Sequence, residues 1–404
     1  MKSLGLQEKL LKNTGKPEMV FLSTVTIGHL LIHWYTNLLS LALPFIKEDL
    51  ALTDVQVGAI VTVQIGVSSG FFIVCGFLAD SFRHRGALII CAGMVALGIA
   101  CFVIAIAPTY GVILLGSGIA GFGTALWHPA AMRSLSLTFP ERRGMALSIH
   151  GVGASIGDAI GPVIIGAVIL VVNWKLALGL HLLPSLVIAF ILWRGLAIMK
   201  VSERVKTDYK SYLGGMKNLF SSPQVIGVLV SNTLISMSRL SMLAFFPIYI
   251  KETLDSSAFI LGVYLALLYV MGIVSQPIMG FLSDRIGRKA ILVPSFASMG
   301  LMYIAVTMVS SGLMLGFVIG VLGLFFYAIM NITQTAVMDV APEGVQASTM
   351  GVIGLTGLPF TLVSPILAGY LVTNNGIDSA FWYAGVTALI AAAVLIPIKF
   401  KKYS

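Results

Sequence analysis

The sequence predicts an all-α integral membrane protein with twelve transmembrane helices in two pseudo-symmetric six-helix bundles, and three observations predict it. Hydrophobic residues make up 58% of the 404-residue chain and charged residues 10%, with a mean hydropathy of +0.98, whereas a soluble domain carries about a quarter charged residues. Apolar runs long enough to cross about 30 Å of hydrocarbon recur along the whole chain. The segment Gly76-Phe77-Leu78-Ala79-Asp80-Ser81-Phe82-Arg83-His84-Arg85-Gly86 returns 204 residues later as Gly280-Phe281-Leu282-Ser283-Asp284-Arg285-Ile286-Gly287-Arg288-Lys289.

The apolar runs span roughly 19–43, 52–79, 86–107, 110–134, 144–172 and 174–196, then 223–249, 259–283, 288–309, 312–338, 347–372 and 377–398. They are read as helices because lipid demands an internally satisfied backbone and the runs are too long for barrel strands. A second repeat, Pro44-Phe45-Ile46-Lys47-Glu48-Asp49 against Pro247-Ile248-Tyr249-Ile250-Lys251-Glu252, supports the duplication. The expected organisation is a bundle over 1–196, a cytoplasmic linker over 197–222 and a bundle over 223–404. Parallel halves of this kind build many secondary transporters. No cleavable signal peptide is expected. Cys75, Cys91 and Cys101 all fall inside apolar runs, without disulfide or metal-ligand spacing, and read as packing residues.

The formal net charge of +9 invites a nucleic-acid partner, but the positions of the bases decide otherwise. With a cytoplasmic N-terminus, 21 of the 25 bases fall on the cytoplasmic side and only Lys47, Lys175 and Lys251 fall outside. That asymmetry predicts a multi-pass protein of the cell (inner) membrane with both termini cytoplasmic. Its expected partners are the lipid bilayer and a small-molecule substrate, with no nucleic acid and a monomeric state.

The remaining base, Arg239, sits mid-span in the seventh run. A mid-bilayer arginine costs about 2.5–3.5 kcal/mol on insertion scales, so it should face a cavity or a partner. Among the acids only Asp158, in the fifth run, lies comparably deep. One buried base and one buried acid suggest a direct ion pair; the alternative is that hydroxyls, amides or water satisfy each separately.

Five histidines also lie within the runs: His29, His33, His128, His150 and His181. His29 and His33 are spaced i, i+4 and share one helical face, to which Trp34, Tyr35 and Asn37 add polar or aromatic capacity. The repeat offset puts Arg239 opposite Tyr35 or Thr36 in depth, so this level is the expected binding site. Metal binding is the rival reading, but two imidazoles without a carboxylate or thiolate nearby make a weak site, and no metal is expected. His181 reads as packing. His33, His150 or Asp158 would suit a coupling proton.

The fourth run ends Gly121-Phe122-Gly123-Thr124-Ala125-Leu126-Trp127-His128-Pro129-Ala130, where glycines allow close packing and the Trp-His pair supplies an aromatic wall and a polar tip. Trp127 and His128 are candidates for lining the cavity, with helix packing as the alternative. The equivalent stretch in the tenth run carries Tyr327, Asn331, Thr333 and Gln334, and adds Asn331 and Gln334 to the candidate substrate residues.

The fifth run contains Gly157-x-x-x-Gly161-Pro162-x-x-Ile165-Gly166. It is similar to the helix-5 antiporter signature of major facilitator superfamily drug exporters, with Ile165 where that pattern has glycine. The two Gly-Phe-Leu-x-Asp repeats resemble the superfamily's loop signature. The run from Ala125 to Ala131, through Phe139-Pro140-Glu141-Arg142-Arg143-Gly144 to His150-Gly151-Val152-Gly153 and Gly157-Asp158-Ala159-Ile160-Gly161-Pro162, resembles the superfamily's fosmidomycin-resistance branch. The resemblance implies the major facilitator fold and a cytoplasmic latch built from Asp80, Arg83, Arg85, Asp284, Arg285 and Arg288. It further implies export of a small anionic or polar compound by alternating access, powered by a proton gradient and without a cofactor. Proton-coupled uptake of an organic anion, such as a carboxylate, sugar phosphate or siderophore, is the competing expectation. An enzyme is not expected, since no metal set, nucleophile–base spacing or phosphate loop appears.

Overall fold

The computed structural model describes residues 16–81, 86–196, 223–340, 357–398 and 400; they are helical almost throughout, and no strand occurs among them. In chain order the first half contributes α1 (Lys16–Asp49), α2 (Asp54–Ser81), α3 (Gly86–Ala105), α4 (Tyr110–Thr138), α5 (Arg143–Val171) and α6 (Trp174–Gly195). The second contributes α7 (Pro223–Thr253), α8 (Ala258–Ile286), α9 (Arg288–Val306), α10 (Leu313–Val337), α11 (Leu358–Asn375) and α12 (Asp378–Leu395). Eleven of these are long and apolar enough to cross a membrane within the described residues, and α11, with 18 described residues, is the twelfth crossing. The linker 197–222 and the expected start of α11 at 347 lie outside the described residues.

Several helices outrun the apolar stretches that announced them, α1 and α7 among them. α1 has 34 residues, about 50 Å at 1.5 Å per residue, and carries Pro44, Lys47 and Asp49 beyond the span expected to end at 43. Charge ends an apolar window, but it does not interrupt backbone hydrogen bonding. α7 likewise continues past 249 through a wider π turn over Tyr249–Thr253.

The duplication is visible at atomic level in the turns that follow. Ala51 and Asp255, 204 positions apart in the sequence, are the described non-glycine residues with left-handed backbone, at φ 47° and 44°. Two residues on, Thr53 and Ser257 accept hydrogen bonds from the Gln56 and Ile260 amides, 3.2 and 3.3 Å long, and so begin α2 and α8 in the same way. Those hydroxyls satisfy amide donors that the first helical turn leaves without partners.

The halves meet at this paired-turn end through glycines. A Cβ on Gly262 of α8 would fall on the Pro162 carbonyl of α5, and one on Gly166 of α5 would fall on the Ala258 carbonyl of α8. α2 and α11 meet in the same manner, Gly58 against Pro365 and Gly369 against Asp54, with the Thr62 hydroxyl donating to the Leu362 carbonyl at 2.7 Å. Lys47 closes the arrangement: its ammonium lies 2.8 Å from both Asp54 and Glu252, one carboxylate from each half. Without a hydrophobic force to drive helices together in lipid, such close backbone approach is the main source of their attraction.

Candidate functional site

α7 is held to its neighbours by serine hydroxyls as well as by its buried Leu229, Met242, Phe245 and Phe246. Ser231 and Ser238 donate to the Ala391 and Ala384 carbonyls of α12, at 2.7 and 2.6 Å. The two pairs are each seven residues apart, as two antiparallel helices in register require. Ser241 and Ser364 share a hydrogen bond of 2.8 Å that fixes α11. α7 is thereby fixed on both sides, and its remaining face turns Asn232, Ser236 and Arg239 toward a cavity of about 370 Å³. That volume lies within the range of small-molecule sites. Ile65 and Ser69 of α2, Met330 of α10 and Thr361 of α11 complete its wall, so the cavity lies between the two halves.

Arg239 is 8% exposed. Its guanidinium lies 4.3 Å from the Phe326 ring centroid and 5.3 Å from that of Tyr327, contacts the Met330 sulfur, and leaves Nε without a partner. No carboxylate pairs with it among the described residues. Ring faces partly offset the cost of a buried cation, but they do not replace a counter-charge. Arg239 therefore presents an uncompensated positive charge to the cavity.

The ion pair suggested for Arg239 and Asp158 does not form. Asp158 Oδ1 instead accepts from His33 Nδ1 and from the Asn37 amide, each at 2.9 Å. Asn37 Oδ1 accepts from the Tyr269 hydroxyl of α8 at 3.2 Å, and the Tyr269 and Tyr327 rings lie 5.1 Å apart. A polar chain thus runs from α1 and α5 across to α8, and Tyr327, beside Tyr269, carries it to the Arg239 guanidinium.

The histidines gather in the first half, away from the cavity wall. His29 stacks on His150 at 3.8 Å with their planes 6° apart and lies edge-on to His33 at 4.7 Å. Its Nε2 sits 3.3 Å from His128 Nε2. His150 is buried with both ring nitrogens unpartnered.

Several expected substrate residues are differently employed. Trp127 is fully buried and packs on Gly28 and Gly93, which is the packing reading. Its indole fills the space that the missing side chain of Gly28 leaves, while its backbone and Cβ lie against Gly93. Tyr35 is buried and donates to the His181 carbonyl at 2.8 Å, which ties α1 to α6. His181 accepts from Trp34 at 3.1 Å and donates to the Ala177 carbonyl at 2.7 Å, so both of its nitrogens serve structure. Of the expected substrate set, Arg239 lines the cavity, while His29, His33, Tyr35, Trp127 and His128 do not. The side chains of Asn331 and Gln334 lie outside the described residues. Asn232 and Ser236 were legible in principle, because their spacing to Arg239 puts all three on one helical face.

Residues 25–358 match the family described as Major Facilitator Superfamily. The chain belongs to the major facilitator superfamily. Within it, the Fosmidomycin resistance protein of Escherichia coli (strain K12) is 28% identical over 148 residues, covering 37% of this chain and 36% of that protein. The Hexuronate transporter of Bacillus subtilis (strain 168) is 22% identical over 391 residues, 89% of each chain. A bacterial homolog of the human lysosomal transporter Spinster, crystallised inward-facing and unoccupied, superposes with a TM-score of 0.74 over 96% of both chains at 15% identity. This major facilitator transporter therefore has the twelve-helix fold that its repeats announced.

At the second copy of the loop repeat, Arg288 pairs with Asp284 and Ser283 within the same turn, and the Arg285 guanidinium lies 4.3 Å from the Phe281 ring centroid. At the first copy, Arg83 and Arg85 and the side chain of Asp80 lie outside the described residues. Gly157 and Gly161 of the helix-5 signature face α1, at Leu30 and Trp34, and Gly166 faces α8 of the other half.

Proposed function

We propose that this major facilitator transporter is a proton-coupled antiporter that exports a small anionic or polar compound by alternating access. The observation that carries the reading is Arg239, a buried guanidinium without a carboxylate partner among the described residues, facing a cavity between the halves. A cation held this way is stabilised by an anion that enters, and a membrane-embedded cation facing a cavity marks a substrate path. Asn232 and Ser236 supply hydrogen bonds beside it. The proton gradient is the energy source, with Asp158, His33 and His150 as the groups that exchange the proton. Gly166 of helix 5, set against α8, forms part of the surface on which the halves rock, Gly157 and Gly161 seat helix 5 on α1, and the loop residues Asp80, Arg83, Arg85, Asp284, Arg285 and Arg288 act as the latch. The protein works as a monomer in the cell membrane with both termini cytoplasmic.

Proton-driven uptake of an organic anion is the second reading, favoured by the likeness to the Hexuronate transporter across 89% of this chain. Both readings use the same cavity. Purified protein in liposomes with an imposed pH gradient separates them, with fosmidomycin and simple organic anions as the panel. Substrate moving against the proton flux supports export; substrate moving with it replaces antiport by symport.

A further inference from the structure

Two imidazoles one helical turn apart on α1, His29 and His33, gather with a third from α4, His128. His29 Nδ1 lies 2.9 Å from the His150 carbonyl, and His128 Nδ1 lies 2.9 Å from the Thr124 carbonyl. A carbonyl only accepts, so both Nδ1 atoms donate, and in the neutral rings Nε2 carries the lone pair. These two Nε2 atoms face each other at 3.3 Å, an arrangement that repels unless a proton or a cation lies between them. His33, whose Nδ1 is engaged by Asp158 Oδ1 at 2.9 Å, keeps its own Nε2 available. One ring nitrogen from each of His29, His33 and His128 lies within 4.8 Å of the other two.

From these distances we infer a binding site for one divalent transition-metal ion, held by His29, His33 and His128. Two nitrogens bound about 2.0–2.1 Å from a tetrahedral ion stand about 3.3–3.4 Å apart, which the His29–His128 pair already matches. His33, within 4.8 Å of both, closes the set by moving its ring toward that pair. Its bond to Asp158 is the carboxylate–histidine support that orients a metal-bound imidazole and raises its basicity, and the Thr124 and His150 carbonyls do the same for His128 and His29. Three nitrogen ligands with the fourth position open select Zn²⁺, Co²⁺, Ni²⁺ or Cu²⁺ over Mg²⁺ and Ca²⁺, which prefer oxygen. The His33 side chain is 27% exposed, which gives an ion a way in to the site. The ion would tie α1 to α4 inside the first half, away from Arg239. This inference rests on nitrogen geometry alone and holds whichever ion drives transport. Where both hold, a metal ion on His33 leaves no lone pair there for a coupling proton.

Co²⁺ titration of the purified, tag-free protein in detergent tests it, read by the visible bands of tetrahedral Co²⁺ and by displacement with Zn²⁺. One equivalent per chain is expected, with binding lost in His29→Ala and His128→Ala and weakened about 10- to 100-fold in Asp158→Asn. Each variant's elution profile and thermal midpoint are compared with the parent's, so that loss of binding is separated from loss of fold. No tetrahedral Co²⁺ spectrum in the parent protein overturns the inference, as does binding that survives in well-folded His29→Ala and His128→Ala.

Discussion

Arg239→Ala is expected to weaken substrate binding by about 30-fold or more, while the protein reaches the membrane in normal amounts. Truncating one partner of a buried, hydrogen-bonded charge pair costs about 2–5 kcal/mol, and each 1.4 kcal/mol is roughly tenfold in affinity. In the unliganded protein the change removes a buried charge that Phe326, Tyr327 and the Met330 sulfur satisfy only in part, so stability should hold or improve. Affinity and stability therefore move in opposite directions. Arg239→Lys keeps the charge but loses the planar fork that meets a carboxylate or phosphonate with two parallel hydrogen bonds, and is expected to recover only part of the affinity. Equilibrium binding on detergent-purified variants, with thermal midpoints measured alongside, checks both halves of the prediction.

The second large effect is conformational. In Gly262→Leu the new side chain falls on the Pro162 carbonyl, and backbone cannot yield as a flexible side chain would. Overpacking costs about 1–3 kcal/mol in a close-packed interior, which shifts a two-state equilibrium roughly 5- to 150-fold. The paired-turn end should therefore open. Spin labels at Val171 and Leu313, exposed positions on opposite halves, report the separation as a longer mean distance with reduced flux. Gly320→Ala is the control, since a Cβ there meets nothing within 4 Å, and it should change neither quantity.

The fold was legible because lipid removes alternatives: apolar length, loop charge and a repeat at constant offset leave little besides paired helical bundles. Helix ends were less legible, since Lys47 and Asp49 read as the edge of the membrane while α1 continues through them. Arg239 stood out because a mid-span charge has few affordable places to go. The fate of Trp127 was hidden, because whether an indole faces a cavity or a gap depends on a glycine 99 positions away, Gly28. The histidine cluster was half visible: i, i+4 spacing pairs His29 with His33, but His128 and His150 join them only through the packing of α1 against α4 and α5. Tyr269 and its bond to Asn37 had no local signal, as a lone tyrosine in an apolar helix ordinarily reads as packing.

Arg239 should make the cavity selective for anions, and that can be measured before any substrate is known. Cys75, Cys91 and Cys101 are buried and can be replaced, leaving Ser236→Cys as a single thiol on the cavity wall. Its reaction rates with negatively and positively charged methanethiosulfonates of similar size are then compared, with Arg239 intact and in Arg239→Gln. A unit charge several ångströms away in a partly screened site biases the two rates by roughly tenfold or more, so the anionic reagent should react faster, and the preference should vanish in Arg239→Gln. Equal rates for the two reagents with Arg239 present, or a preference that survives Arg239→Gln, would show that Arg239 does not set the charge preference of the cavity.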